Sequence, residues 1–589
     1  MTVRRAWFPL TGDSTRRSSL ATARAVKKPP VDPLGGARIA LAGRVVTMNN
    51  TFAVRDDAVV YVANSNIVAV QDRNQPAPDD FQGITPLETG GTIFPGLIEL
   101  HNHLAYNALP LWSPIPKLFN NRGQWPNHKD YRPLVSGPMT VLGTYRNAKG
   151  LFPFLAPLVR YVECKCLLGG VTTSQGVKLA SNSGIQRFYR GIVRNVEQTD
   201  EEDLPEAQSR IPDIDAKDAK SFLARLKKQD SCFLLHLSEG VTEDAQPLSA
   251  ARKHFLALEV APGAWALSNV FTGIHSAGLL APDFDVLASH GSSMVWSPLS
   301  NLLLYGGTAR VDAAKQSGIA IGLGSDWSPT GSKNLLGEMK VAWLYSQIAL
   351  NGALSARDVV AMATSNAARI LRWDGVLGSV EAGKRADLIV VRGRIDDAYE
   401  TLIRAKETDL LLVMINGIPR YGASPLMKEL DADEEAIRVG GQARHLFLKQ
   451  ETSDPDVAQI PLGKATRQLT DGFHKVAELA KELETPRRAP RKRLLDVMPS
   501  GPVWSLALDE ISSSGVEMSP RLPFGGPDDF TGPVRAPRTP AANAPKLSTI
   551  LRSIDVDPLT VADDPNFLAR IQAQPNLPDA LKANLHTLF

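Results

Sequence analysis

The chain has 589 residues, 43% of them hydrophobic and 22% charged, with a formal net charge of +3. That length supports a large buried core and about two to four domains, and the near-neutral charge gives no ground for a nucleic-acid or membrane partner. Cys164, Cys166 and Cys232 form no disulfide framework, no apolar run reaches the ~18 residues of a membrane span, and MTVRRAW opens no secretory signal, so a cytoplasmic protein is expected.

Residues 1–36 are basic, end in KKPPVDPLGG and read as a disordered tail. From 37 to 92 the runs ARIALAGRVVTM and DAVVYVANSNIVAVQD are rich in Val and bounded by turn residues, which predicts strands of a small β-sandwich. Residues 93–377 alternate short apolar strands with amphipathic helices, the pattern of a parallel α/β core. The strand candidates are TIFPGLIEL, GVTTSQ, YRGIVRNV, CFLLHL, VFTGIH, SMVWSP and IAIGLGSD, seven where a closed barrel takes eight. The missing strand is expected between Gly184 and Asp230. At 378–430 the chain returns to β-type runs, ADLIVVRG and DLLLVMINGIPRYG, the second part of the sandwich. Residues 431–589 read as an extension, partly flexible with helices, broken by PRRAPRKR and a Pro/Gly-rich stretch at 519–545. The fold class is therefore α/β: a TIM-like (β/α)8 barrel, flanked by a small β-sandwich built from both ends of the core region, plus a partly helical C-terminal extension.

In PGLIELHNHL, His101 and His103 end an apolar strand, and side chains two apart on a strand point the same way. Both imidazoles can aim at one point at the barrel mouth, where such barrels build their sites, and two converging rings make half of a tetrahedral zinc site. In CFLLHLSEG, His236 offers a third ring and Glu239 a carboxylate able to move a proton. His275 in VFTGIHSAGLL suits either a ligand or an acid behind the ligands, with a backbone-capping His as the bland reading. Asp326 in IAIGLGSDWSP can hold metal and water together, or simply cap a helix. Only ten histidines occur in the chain, and four of them terminate predicted barrel strands, which argues against five independent bland readings.

Residues 37–420 resemble the amidohydrolase superfamily, and within it the mononuclear cytosine-deaminase and chlorohydrolase-like branch. The resemblance rests on GTIFPGLIELHNH, LLGGVTTSQG, HLSEG, GIHSAGLL, MVWSPLSN, GLGSDW, MATSNAARIL and GSVEAGKRADLIVV. It implies one divalent metal, with Zn2+ favoured over Fe2+ or Mn2+, on His101, His103, His236 and Asp326. It also implies that Glu239 shuttles protons and that His275 polarises the substrate. Binuclear members carry a carboxylated lysine, whereas Lys165 in YVECKCLLGG falls on a predicted helix facing away from the mouth.

Two departures stand out, the extension beyond 430 and an insert from about Leu104 to Pro138. The insert is read either as a substrate wall, with Trp125 on a ring and Arg122 on an anionic group, or as a core of its own that packs on the barrel. Asn301 at another strand mouth touches substrate or orders its loop. The expected activity is hydrolysis of a non-peptide C–N bond in a small molecule, leaning to deamination of a nitrogen heterocycle. Alternatives are amide or cyclic-amide hydrolysis, dehalogenation, or a catalytically silent scaffold. No nucleic-acid or membrane partner is expected, and a homo-oligomer is compatible with the sequence.

Overall fold

The computed structural model describes residues 36–181, 186–451, 453–485, 504–508 and 545–589. The basic tail up to residue 35, the PRRAPRKR run and nearly all of the Pro/Gly-rich stretch lie outside the described residues.

Eight short parallel strands make the barrel: β1 Leu97–Glu99, β2 Val171–Ser174, β3 Arg194–Asn195, β4 Gln208–Arg210, β5 Phe233–Leu237, β6 Phe271–His275, β7 Ser293–Trp296 and β8 Ala320–Leu323. They pair in two runs, β1 to β3 and β4 to β8. Ala207 N donates to Val196 O (2.8 Å), which links the runs. Between β8 and β1, Leu100 N donates to Leu323 O (3.3 Å), Asp326 N to His101 O (3.1 Å) and His103 N to Asp326 O (2.7 Å). Strands such as β5 and β6 are buried along their whole length, as strands covered on both faces must be. The strand missing from the sequence reading is β4, inside the 184–230 window; its residues, Gln-Ser-Arg, carry no apolar signal.

Strands from both flanks share one nine-stranded sheet. Leu388–Arg392 pairs antiparallel with Leu87–Pro95, joining the N-terminal strands Ile39–Val46, Val54–Ala63 and Asn66–Asp72 to the C-terminal ones. Two expected boundaries move. TIFPGLIEL is not one strand: it divides at Gly96, where a Cβ would run into Thr172, so its first half belongs to the sheet and its second to the barrel. The sheet also continues past residue 430, because the hairpin Glu435–Val439 and Gln442–Leu446 adds to Ile418–Ala423.

The described part of the C-terminal extension is packed, not loose. Helix Leu462–His474 lies against α1 (Leu155–Leu168), and residues 545–589 bury Leu551, Phe567, Leu581 and Leu588. Among the described residues, no helix is long and apolar enough to cross a membrane.

Candidate metal centre

The barrel brings four imidazoles and one carboxylate to a single mouth. His101 and His103 follow β1, His236 lies near the end of β5, His275 ends β6, and Asp326 follows β8. The His101 ring centroid is 5.0 Å from that of His103, 4.7 Å from His236 and 5.0 Å from His275. Candidate donor atoms fall into two groups that share His101: His101, His236 and His275, and His101, His103 and Asp326, each within 4.8 Å. His275 and Asp326 both hold left-handed backbone, with φ of 66° and 64°, an uncommon state for residues with a Cβ that clusters at functional sites.

Ring orientation is set from behind. Gln175 Oε1 sits 3.1 Å from His101 Nδ1, and Arg210 O 3.3 Å from His236 Nδ1, so both rings carry the proton on Nδ1 and keep a lone pair on Nε2. His101 Nε2 is buried and makes no hydrogen bond, although Asp326 Oδ1 is only 3.2 Å away; this orphaned lone pair fits a cation. His275 differs. Trp296 Nε1–H donates to Thr308 Oγ1 (2.7 Å), whose hydroxyl then donates to Asn301 Oδ1 (3.2 Å). Asn301 therefore turns its amide Nδ2 to His275 Nδ1 (3.1 Å), so His275 accepts there and bears its proton on Nε2, facing Glu239 Oε2 at 3.7 Å.

Charges follow from burial and proximity. Burial, then the neighbouring imidazoles, pushes His236 well below the ordinary imidazole range, and burial does the same to His275. Burial opposes ionisation of Asp326, yet His101 and the other rings outweigh it and hold the carboxyl well below its usual range. An imidazole kept neutral, as His236 is, and an ionised carboxylate, as at Asp326, are groups that a divalent cation takes up. Burial raises Glu239 to about 7 against the opposing charge of Arg122. Tyr305, at the end of α2 (Pro298–Tyr305), donates its hydroxyl to Glu239 Oε1 (2.7 Å) and accepts from Trp125 Nε1 (2.9 Å).

These groups line a narrow cavity of about 20 Å³, walled by His103, His236, His275, Asp326, Glu239 and Arg122 together with Trp125, Pro126, Tyr131, Ile211 and Trp327. Of the residues singled out from sequence, Arg122 and Trp125 reach this wall, whereas Asn301 lies behind His275. Arg122 already faces acids: it pairs with Asp213, and its Nη1 stands 3.8 Å from Glu239 Oε2. Within the insert, Trp125 and Tyr131 face the cavity, while Trp112 and Phe119 pack against each other in the insert's own core. Lys165 lies on α1 as expected, and its ammonium bonds Asn107 O, Ser328 Oγ and Asp557.

Sequence reasoning missed Tyr305, Trp327 and Gln175. Gln175 follows β2 as the histidines follow their strands, and Tyr305 lies one helical turn beyond Asn301, so position at a strand end or on a helix face could have flagged both. His254 holds Asp213 at 2.8 Å and so backs Arg122.

Residues 217–419 match the family model described as Amidohydrolase family. The chain is similar to 5-methylthioadenosine/S-adenosylhomocysteine deaminases. That of Teredinibacter turnerae is 32% identical over 121 residues, 20% of this chain and 27% of the relative. That of Syntrophobacter fumaroxidans is 27% identical over 374 residues, 59% of this chain and 83% of the relative. The chain thus spans about a quarter of the first two relatives it matches, 27% and 26% of their lengths. A triazine hydrolase from Arthrobacter aurescens superposes with a TM-score of 0.51 at 18% identity, over 74% of this chain and 100% of that one, a likeness of fold. Over residues 217–419 the chain thus matches the amidohydrolase family model, and it is similar in sequence to these deaminases.

Proposed function

We propose that the barrel mouth holds one divalent metal, with zinc favoured, and hydrolyses a C–N bond in a small nitrogen heterocycle, releasing ammonia. His101, His103, His236 and Asp326 would hold the ion, which when bound supplies a water acidified enough to act as nucleophile. Asp326, fixed by Ser300 Oγ at 2.7 Å, would orient that water as its base. His275 donates from Nε2 to the substrate atom that gains negative charge. Glu239, with a pKa near 7, can carry a proton from the nucleophile to the leaving amine. The aromatic faces of Trp125, Tyr131 and Trp327 suit a planar ring. Deamination is the activity named for the curated relatives, and the single observation that carries the reading is the buried Glu239 carboxyl facing the Nε2–H of His275 across the mouth.

The test is elemental analysis of purified protein beside a His101→Ala/His103→Ala double variant, followed by an ammonia-release screen on amino-substituted heterocycles. About one equivalent of metal, lost in the double variant, with turnover abolished by Glu239→Gln, is the expected outcome. Absence of metal after reconstitution, or turnover surviving Glu239→Gln, refutes it.

A further inference from the structure

We infer that the C-terminal segment 545–589 is a working part of the active site, and that Asp557 is a positioning residue for the loops carrying the candidate ligands. Asp557 is buried at the centre of a charge cluster drawn from three distant parts of the chain. Its Oδ2 accepts from Lys165 Nζ on α1 (2.6 Å) and its Oδ1 from Lys333 Nζ (2.6 Å). Lys333 also meets Asp564 at 2.9 Å, and Arg570 clasps Asp564 with one nitrogen 2.6 Å from each carboxylate oxygen. The backbone of Asp557 is fixed as well: its N–H donates to Ala108 O (2.9 Å), and its carbonyl accepts from Tyr161 (2.5 Å).

The cluster grips the site from below. Lys165 Nζ donates to Asn107 O (2.9 Å), in the loop that follows His103, and to Ser328 Oγ (2.6 Å), in the loop that follows Asp326. Those two loops are then tied to each other, because Ser328 N–H donates to Asn107 Oδ1 (2.9 Å). Asn107 Nδ2 donates in turn to Asn102 Oδ1 (2.9 Å), and Asn102 stands between the two histidines. Asn102 Nδ2 reaches Ser325 Oγ (3.2 Å), adjoining Asp326. An unbroken run of hydrogen bonds therefore leads from Asp557 to both sides of the His101, His103 and Asp326 group. Two buried ammonium groups converge on this one carboxylate, so without it Lys165 loses the partner that holds it against Asn107 and Ser328.

The same segment supports the insert. Gln574 Oε1 accepts from Ile115 N (2.8 Å), and Asn576 Nδ2 donates to Lys117 O (3.0 Å) and to Leu303 O (2.7 Å), on α2 just before Tyr305. One segment thus braces the ligand loops, the insert and the helix that carries the partner of Glu239. Groups that sit behind metal ligands orient them, and removing such a group typically lowers metal affinity by about 10- to 100-fold.

The test uses full-length protein with three substitutions: Asp557→Asn, the milder Lys165→Met, and Leu412→Ala. Leu412→Ala hollows the core of the nine-stranded sheet, a cluster that contains none of the loop residues, and serves as a control for general destabilisation. Zinc affinity is measured by chelator competition, and amide exchange is followed in residues 101–109 and 325–330. Asp557→Asn and Lys165→Met are expected to weaken zinc binding at least about tenfold and to speed exchange in both loops. Leu412→Ala is expected to keep wild-type affinity at the same temperature. If Asp557→Asn does not fold, Lys165→Met decides. Only the zinc readout rests on the metal-centre reading: were the wild type to bind no zinc, that reading would fall while loop exchange still judged the brace. Wild-type exchange in both loops of a folded variant overturns the inference.

Discussion

Replacing Gly324 with alanine would place a methyl carbon 2.5 Å from His101 Cβ, 2.7 Å from the His101 carbonyl oxygen and 2.8 Å from its nitrogen. Non-bonded carbons rest at about 3.5–4.0 Å, so β1 and β8 must part by ~1 Å, or His101 must shift by as much. Neither can yield cheaply, because Asp326 N–H is bonded to His101 O (3.1 Å) and Gly324 N–H to Trp296 O (3.1 Å). Overpacking of this kind costs about 1–3 kcal/mol of stability, modest for a chain of this size. The site is far less tolerant, since metal–ligand distances hold to about ±0.2 Å, well inside the required shift. Gly324→Ala is therefore expected to fold with a melting temperature lowered by a few degrees while metal affinity falls by about 10- to 100-fold or more. Chelator competition and thermal melts on the same sample separate the two effects. A Gly324→Ala protein that keeps wild-type metal affinity would refute the claim that this contact positions His101.

Two further predictions concern neighbouring groups. Tyr305→Phe removes the donor to Glu239 and strands Trp125 Nε1; a hydrogen bond to a charged group contributes about 1.5–3 kcal/mol, so kcat should fall about 10- to 100-fold with metal content unchanged, and an unchanged kcat counts against the Glu239 assignment. Glu338 is buried with its carboxyl raised from 4.5 to about 8, first by burial; the folded state then binds the extra proton between those values, so this contribution to stability is present below about 4.5 and is lost as pH rises through about 8. Thermal melts should show Glu338→Gln gaining on the wild type between pH 6 and pH 9, by an amount on the order of a few kcal/mol at most, and parallel melting curves across that range would contradict it.

The residues that could be read from sequence share one property: each follows a run of apolar residues and so sits where a parallel strand reaches the barrel mouth. His101, His236, His275 and Asp326 are visible this way because the strand that carries each one announces itself. The fold was legible for the same reason, and it failed where that signal fails. The fourth strand is three polar residues, and TIFPGLIEL looks continuous because apolar character does not reveal that Gly96 turns the chain from one sheet into another. The residue pattern alone left His275 open between ligand and acid, and only the resemblance separated it; the physical basis depends on Trp296, Thr308 and Asn301 meeting in space to fix one proton.

Asp557 marks the far limit of such reading. It lies 392 residues from Lys165, in a tail whose composition resembles any solvated surface, and an aspartate carries no local sign that it will be buried. The lysine was the better clue. An ammonium group on the apolar helix YVECKCLL must either reach solvent or find a buried acid. Here Lys165 finds its carboxylate in the C-terminal segment, at Asp557. A buried charge that its immediate neighbours cannot satisfy is thus a sequence-level pointer to a distant segment that the fold must dock.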